Sequence, residues 1–104
     1  MIEKDIEKYL AEQVKKQGGL CLKFTSPGTR GVPDRIVIYD GEVFFTELKK
    51  PGENLRKDQQ KMREILNKQD FPVFVLSTKK QVDSFVKIYM KNGLNKTNDQ
   101  YDFT

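Results

Sequence analysis

The chain has 104 residues, 37% of them apolar and 33% charged, enough for one compact domain with a modest core. With no histidine and a single cysteine, a Ser-His-Asp or Cys-His centre and an ordinary zinc site are excluded, so any metal must sit among oxygen ligands. The net charge of +4 and pI near 9.2 favour a polyanionic partner, and no apolar run approaches the length of a membrane span.

The first residues, Met1 to Asp5, are too charged for a secretory signal, so a cytoplasmic location of viral or bacterial type is expected. Ile2, Ile6, Leu10 and Val14, with Tyr9, recur at helical spacing, and Gly18-Gly19 ends that helix. Leu20 to Thr25 reads as a short strand. Its Cys21 is expected to be a buried thiol, since no histidine exists to activate it. Ser26 to Val32, with Pro27, Gly28 and Gly31, is a loop. Two β-branched and aromatic runs follow, 34–39 and 42–48, joined by Asp40-Gly41, a preferred two-residue hairpin turn. Pro51-Gly52 stops the second run. A helix from about Leu55 to Gln69 should turn Met62, Ile65 and Leu66 inward. Phe71 to Leu76 is another strand. Thr78 and Gln81 fit a capping box, which starts a helix with Val82, Phe85, Val86, Tyr89 and Met90 as its apolar stripe.

The element order is therefore α-β-β-β-α-β-α, a single α/β domain with a mixed four-stranded sheet flanked by helices. The last two strands, separated by a helix, should run parallel, while the hairpin is antiparallel. The domain spans 1–92. Residues 93–104 read as a polar tail expected to be flexible, with Tyr101 and Phe103 able to dock.

The hairpin carries the clearest chemical signal. A two-residue turn at 40–41 makes paired positions sum to 81, so Asp34 faces Glu47, Ile36 faces Phe45 and Ile38 faces Val43. Lys49 shares the face of Glu47 because strand side chains alternate. Carboxylates on opposed β-carbons roughly 4.5–5.5 Å apart repel unless something offsets them, and a hard cation bridging both is the simplest answer. Lys49 beside them can neutralise a phosphate, activate water or stabilise developing charge. The bland alternative is solvated groups paired with nearby lysines. Either a Glu-Leu-Lys or a Pro-Asp run by itself would favour it, but the register joins the two, and only a bulge would undo that. Glu3 or Glu7, one turn apart on the first helix, could add a carboxylate, or could simply favour the helix dipole. Gln59 falls on the inward stripe three and seven residues before Met62 and Leu66. Its buried amide needs a partner, whether a carboxylate, a bound water or a loop carbonyl.

Gly31-Val32-Pro33-Asp34 followed by Glu47-Leu48-Lys49 resembles the PD-(D/E)XK nuclease superfamily, and within it the VRR-NUC family. The likeness runs from Glu3-x-x-Ile6 through Leu55-x-x-x-Gln59 to about Met90. It implies a restriction-endonuclease-like fold. It also implies that Asp34, Glu47 and the Leu48 backbone carbonyl bind magnesium or manganese, that Lys49 assists the attacking water, and that Glu3 and Gln59 complete the site. The implied activity is hydrolysis of DNA phosphodiester bonds, on branched or structured DNA such as Holliday junctions, by a homodimer, in repair or recombination. Lys23, Arg30, Lys50, Arg56 and Lys57 are then the candidates to hold DNA phosphates. One departure is visible: the family often has Ser-Pro after the leucine of the glutamine motif, where this chain has Arg56-Lys57.

Two other readings compete with a nuclease. An inactive DNA-binding module of the same fold gains nothing from two opposed carboxylates facing phosphates. A protein-interaction domain would use the basic surface only for solubility, and a salt titration of DNA binding separates it from the other two.

Overall fold

The computed structural model describes residues 2–90. The expected tail, with Tyr101 and Phe103, lies outside the described residues. The elements are α1 (Glu3–Lys16), β1 (Leu20–Lys23), β2 (Arg35–Tyr39), β3 (Glu42–Leu48), α2 (Lys57–Lys68), β4 (Val73–Leu76) and α3 (Lys79–Tyr89), in the order expected.

The strands form one sheet in the order β1-β2-β3-β4. β2 runs antiparallel to both β1 and β3, and β4 runs parallel to β3 across the α2 crossover. The hairpin pairs Tyr39 with Glu42, Ile38 with Val43, Val37 with Phe44, Ile36 with Phe45 and Arg35 with Thr46, so the sum of 81 holds along the ladder. Asp40 (φ 48) and Gly41 (φ 79) are both left-handed, as a type I′ turn requires.

Alternation gives the sheet two unlike faces. Val37, Tyr39, Phe44, Leu48 and Leu76 point to the side covered by α1 and α3, where they pack with Ile6, Leu10, Val14, Val82, Phe85, Val86 and Met90. Phe44 meets the rings of Phe74, Phe85 and Tyr89 at centroid distances of 5.2–6.2 Å. Each such fully buried aliphatic or aromatic side chain stabilises by about 1.5–3 kcal/mol, so most of the stability resides on this face. Thr78 caps α3 by accepting the Gln81 backbone N–H at 3.1 Å. The Gln81 side chain accepts from Ser77 N–H and not from the cap residue itself.

On the other face, α2 departs from expectation. Its apolar stripe is not sunk into a core: Ile65 is 45% exposed, Met62 and Leu66 are only half-buried, and the single buried residue of the helix is Gln59. The helix is fixed at its N-terminus instead. Gly31 (φ +82) passes so close to it that an added Cβ would lie 2.3 Å from the Asp58 carbonyl oxygen. Among the described residues, no helix is long and apolar enough to cross a membrane.

Candidate active site

Asp34 stands one residue before β2, Glu47 lies at the far end of β3, and Lys49 follows one residue past that strand. The ladder register carried one step past Arg35–Thr46 sets Asp34 opposite Glu47, on the face away from α1 and α3. Two main-chain N–H groups bond to Asp34. Its backbone carbonyl accepts from Phe24 N–H at 3.0 Å, extending the β1–β2 ladder by one rung. Its Oδ2 accepts from the Leu48 backbone N–H at 2.9 Å. Asp34 thus closes the β2–β3 end with a side chain.

The main-chain bonds of an antiparallel pair alternate, and Tyr39–Glu42 beside the two-residue turn is a bonded pair. Counting on by twos, Pro33 is the residue that would exchange main-chain bonds with Leu48. Proline has no N–H. The Leu48 carbonyl therefore faces no ladder donor from this strand, while Lys49 N–H bonds across to the Leu76 carbonyl of β4.

Glu47 is only 2% exposed. Burial pushes its carboxyl up to about 9, helped by a hydrogen bond with Asp34 and by that group's charge, while Lys49 and Arg56 pull the other way. The pair therefore holds a proton at neutral pH when nothing else neutralises it. Lys49 is buried, and its Nζ lies 3.7 Å from Glu53 Oε1.

Other candidates are placed unequally. Gln59 is buried, and its Oε1 accepts from Arg56 N–H at 2.9 Å, so it fixes the start of α2 and the Arg56 backbone. Its partner is thus a backbone N–H, whereas the sequence suggested a carboxylate, water or carbonyl. Glu3 does not join the pair: among the described residues, no three acid, histidine or cysteine side chains gather as a metal cluster. Glu7 accepts from Arg35 Nε at 2.7 Å, and Arg35 also donates to the Cys21 carbonyl at 3.2 Å. The first-helix acid is engaged behind the sheet because α1 covers the opposite face. Cys21 is half-buried, not fully buried as expected, and its burial still raises the thiol to about 11, which keeps it unreactive.

Among the basic candidates, Arg56 is near enough to act on Glu47, and its Nε lies 3.3 Å from Asp58 Oδ1. Arg30 is exposed, 3.8 Å from Asp58 Oδ2, and Lys50 and Lys57 are exposed beside the site. Lys23 is a correction. It pairs with Arg35 in the ladder and so sits on the α1 face, away from the carboxylates. Sequence reasoning missed Glu53, the tie between Asp34 and Leu48 N–H, and the use of Arg35. Only Glu53 had a legible signal, its position four residues after Lys49.

A solved structure described as a VRR_NUC domain matches 84% of this chain and 96% of its own, at 32% identity and a TM-score of 0.78. This chain belongs to the VRR-NUC family. A phage relative, "Putative nuclease p44" of Acyrthosiphon pisum secondary endosymbiont phage 1, is 54% identical over 52 residues, 49% of this VRR-NUC chain and 56% of that protein. The matched region therefore spans about half the length of that curated relative. No family model matches the sequence.

This VRR-NUC site offers two carboxylates and a main-chain carbonyl that lacks a ladder donor. All are hard oxygen donors. They suit magnesium or manganese, which keep several waters and use one or two carboxylates beside substrate phosphates. A cation there would take over the neutralising role of the shared proton.

Proposed function

We propose that this chain is a divalent-metal-dependent DNA endonuclease that cuts branched or otherwise structured DNA, such as a four-way junction, as a homodimer. The observation that carries the reading is half-buried Asp34 set face to face with buried Glu47, with buried Lys49 on the same face. The fold relationship and the phage relative's name support it.

Asp34, Glu47 and the Leu48 carbonyl would hold magnesium or manganese, which supplies charge neutralisation at the scissile phosphate and lowers the pKa of an attacking water. Asp34 is aimed by Leu48 N–H, which leaves its remaining lone pairs for that task. Lys49 stabilises charge developing on the phosphate oxygens. Release of Lys49 from Glu53 accompanies substrate entry. Arg56, Lys57, Lys50 and Arg30 hold flanking phosphates, with Gln59 keeping the Arg56 backbone in place. A four-way junction is two-fold symmetric and each chain carries one carboxylate pair, so paired incision calls for a two-fold dimer. Phe71, 42% exposed beside Phe45, is the described residue best placed for that contact.

The test is a panel of labelled flap, nicked, forked, four-way-junction and fully paired DNAs. Cleavage is expected with magnesium or manganese, with a preference for branched substrates, and calcium should support binding with little cutting. Full activity in a chelator would overturn the metal assignment. Binding without cleavage under every metal would leave an inactive binding module.

A further inference from the structure

Beside the carboxylate pair, α2 stands away from the outer strand and leaves a groove of about 770 Å³ between its flank and β4. Resting on the nuclease reading, we infer that this groove receives one unpaired nucleobase next to the scissile phosphate, and that this is how the protein favours structured DNA over continuous duplex.

The floor is apolar, made by Leu55, Val73 and Val75. Pro72 also lines the groove, and no aromatic residue does, so a base would meet aliphatic side chains. Amide side chains stand on the walls, Asn54 from the loop and Gln60 and Asn67 from α2. Amides match the donor and acceptor edges of a base, and base edges are open to such contacts only when the base is unpaired. Gln60 is partly committed, since its Nε2 donates to the Leu55 carbonyl at 2.8 Å, which leaves Asn54 and Asn67 as the readers. Arg63 can lay its guanidinium plane on a base.

The charges sort the two ends of a nucleotide. Glu53 and Glu64 also line the groove, so a phosphate is repelled from it, while a carboxylate accepts well from an exocyclic amine. Lys49, Lys50, Arg56 and Lys57 lie outside that lining, around the carboxylate pair and the first turn of α2. The base thus goes in and its phosphate stays on the cationic rim. Glu53 joins the two regions, being a wall of the groove and lying 3.7 Å from Lys49 Nζ. A base in a duplex cannot reach the groove without the cost of lost stacking and pairing. A base already unpaired at a flap or junction avoids most of that cost.

The experiment uses the full chain in calcium and two DNA probes carrying 2-aminopurine, which brightens when it leaves the base stack. In one probe the analogue is unpaired at a flap base, and in the other it is paired within duplex. The unpaired probe should brighten several-fold on binding. Asn67→Trp, on the exposed flank of α2, fills the groove with an indole. It should abolish the brightening and weaken the unpaired probe about tenfold more than the paired one, with an unchanged melting temperature. No brightening with the parent chain, or equal weakening of both probes by the variant, would overturn the inference. Fluorescence is read without cleavage, so a chain that cuts nothing in magnesium refutes the nuclease reading by a separate result.

Discussion

Glu47→Gln should make the metal-free protein more stable, and by an amount that depends on pH. Glu47 is 2% exposed, and its carboxyl is pushed from 4.5 up to about 9, first by burial and then by Asp34. The folded state therefore binds one more proton than the unfolded state between those two values. Stability is fully present below about 4.5 and is lost as pH rises towards about 9. At about 1.4 kcal/mol per pH unit, the loss by pH 7 is about 3 kcal/mol, a large share of a small domain's total. Glutamine keeps the shape and the hydrogen bond to Asp34 without needing that proton. In a chelator at pH 7 the variant should melt more than about 10 °C above the parent, since 1 kcal/mol moves a domain of this size by about 4–8 °C. At pH 5 the gap should shrink to a few degrees, because most of the loss from Glu47 accrues above that pH. Calorimetric melts at the two pH values provide the measurement. Magnesium should raise the parent's melting temperature at pH 7 and the variant's much less. Equal melting of parent and variant at both pH values would show that Glu47 is ionised and hydrated in the folded chain, and the case for a strained carboxylate pair would fail.

Three further outcomes are expected. Asp34→Asn should abolish cleavage without lowering the metal-free melting temperature, because an amide oxygen can still accept from Leu48 N–H; Asp34→Ala should cost about 1–3 kcal/mol by orphaning that N–H, as calorimetry would register. Replacing Arg56 and Lys57 together with alanine should weaken binding of every DNA and reduce the salt dependence by about one unit of slope per lost phosphate contact, read from binding titrations across salt concentrations. Gly31→Ala should destabilise by about 1–3 kcal/mol or more, since its Cβ would lie 2.3 Å from the Asp58 carbonyl oxygen in a left-handed backbone, and a melt compared with Gly28→Ala, where nothing lies within 4 Å, isolates the contact from the conformation.

Much of this architecture was legible because short-range chemistry specified it. Asp40-Gly41 allows one tight turn, that turn permits one register, and the register sets Asp34 against Glu47. Thr78 announced α3 for a similarly local reason. What could not be read depended on tertiary competition. The spacing of Met62, Ile65 and Leu66 is that of an amphipathic helix, but periodicity does not say whether a core exists for it to face. Here α1 and α3 cover one sheet face, and α2 is held at its N-terminus by Gly31 and Gln59. Its flank, with the loop before it and β4, borders the groove. Glu7 looked like a candidate ligand, but Arg35, a strand neighbour of Asp34 pointing the other way, engages it across 28 positions of sequence. Lys23 is a candidate phosphate contact from the sequence, and strand alternation sends it to the opposite face.

The end of the hairpin shows why Pro33 and Asp34 belong side by side. A regular ladder would use both main-chain groups of Leu48 against the residue opposite, and would bury them as structure. Proline there withdraws the donor that the Leu48 carbonyl would have taken. Asp34, the next residue, reaches across and takes the Leu48 N–H with its side chain. The two substitutions act on the two poles of one peptide position. One leaves an oxygen without a ladder partner, and the other anchors a carboxylate beside it. Glu47, next along β3, adds the second carboxylate, and its burial limits solvent screening on its side of the pair. Oxygen donors are thus concentrated at the point where the sheet stops being a sheet, and the energetic cost of that frayed end is offset by the core packed on the opposite face.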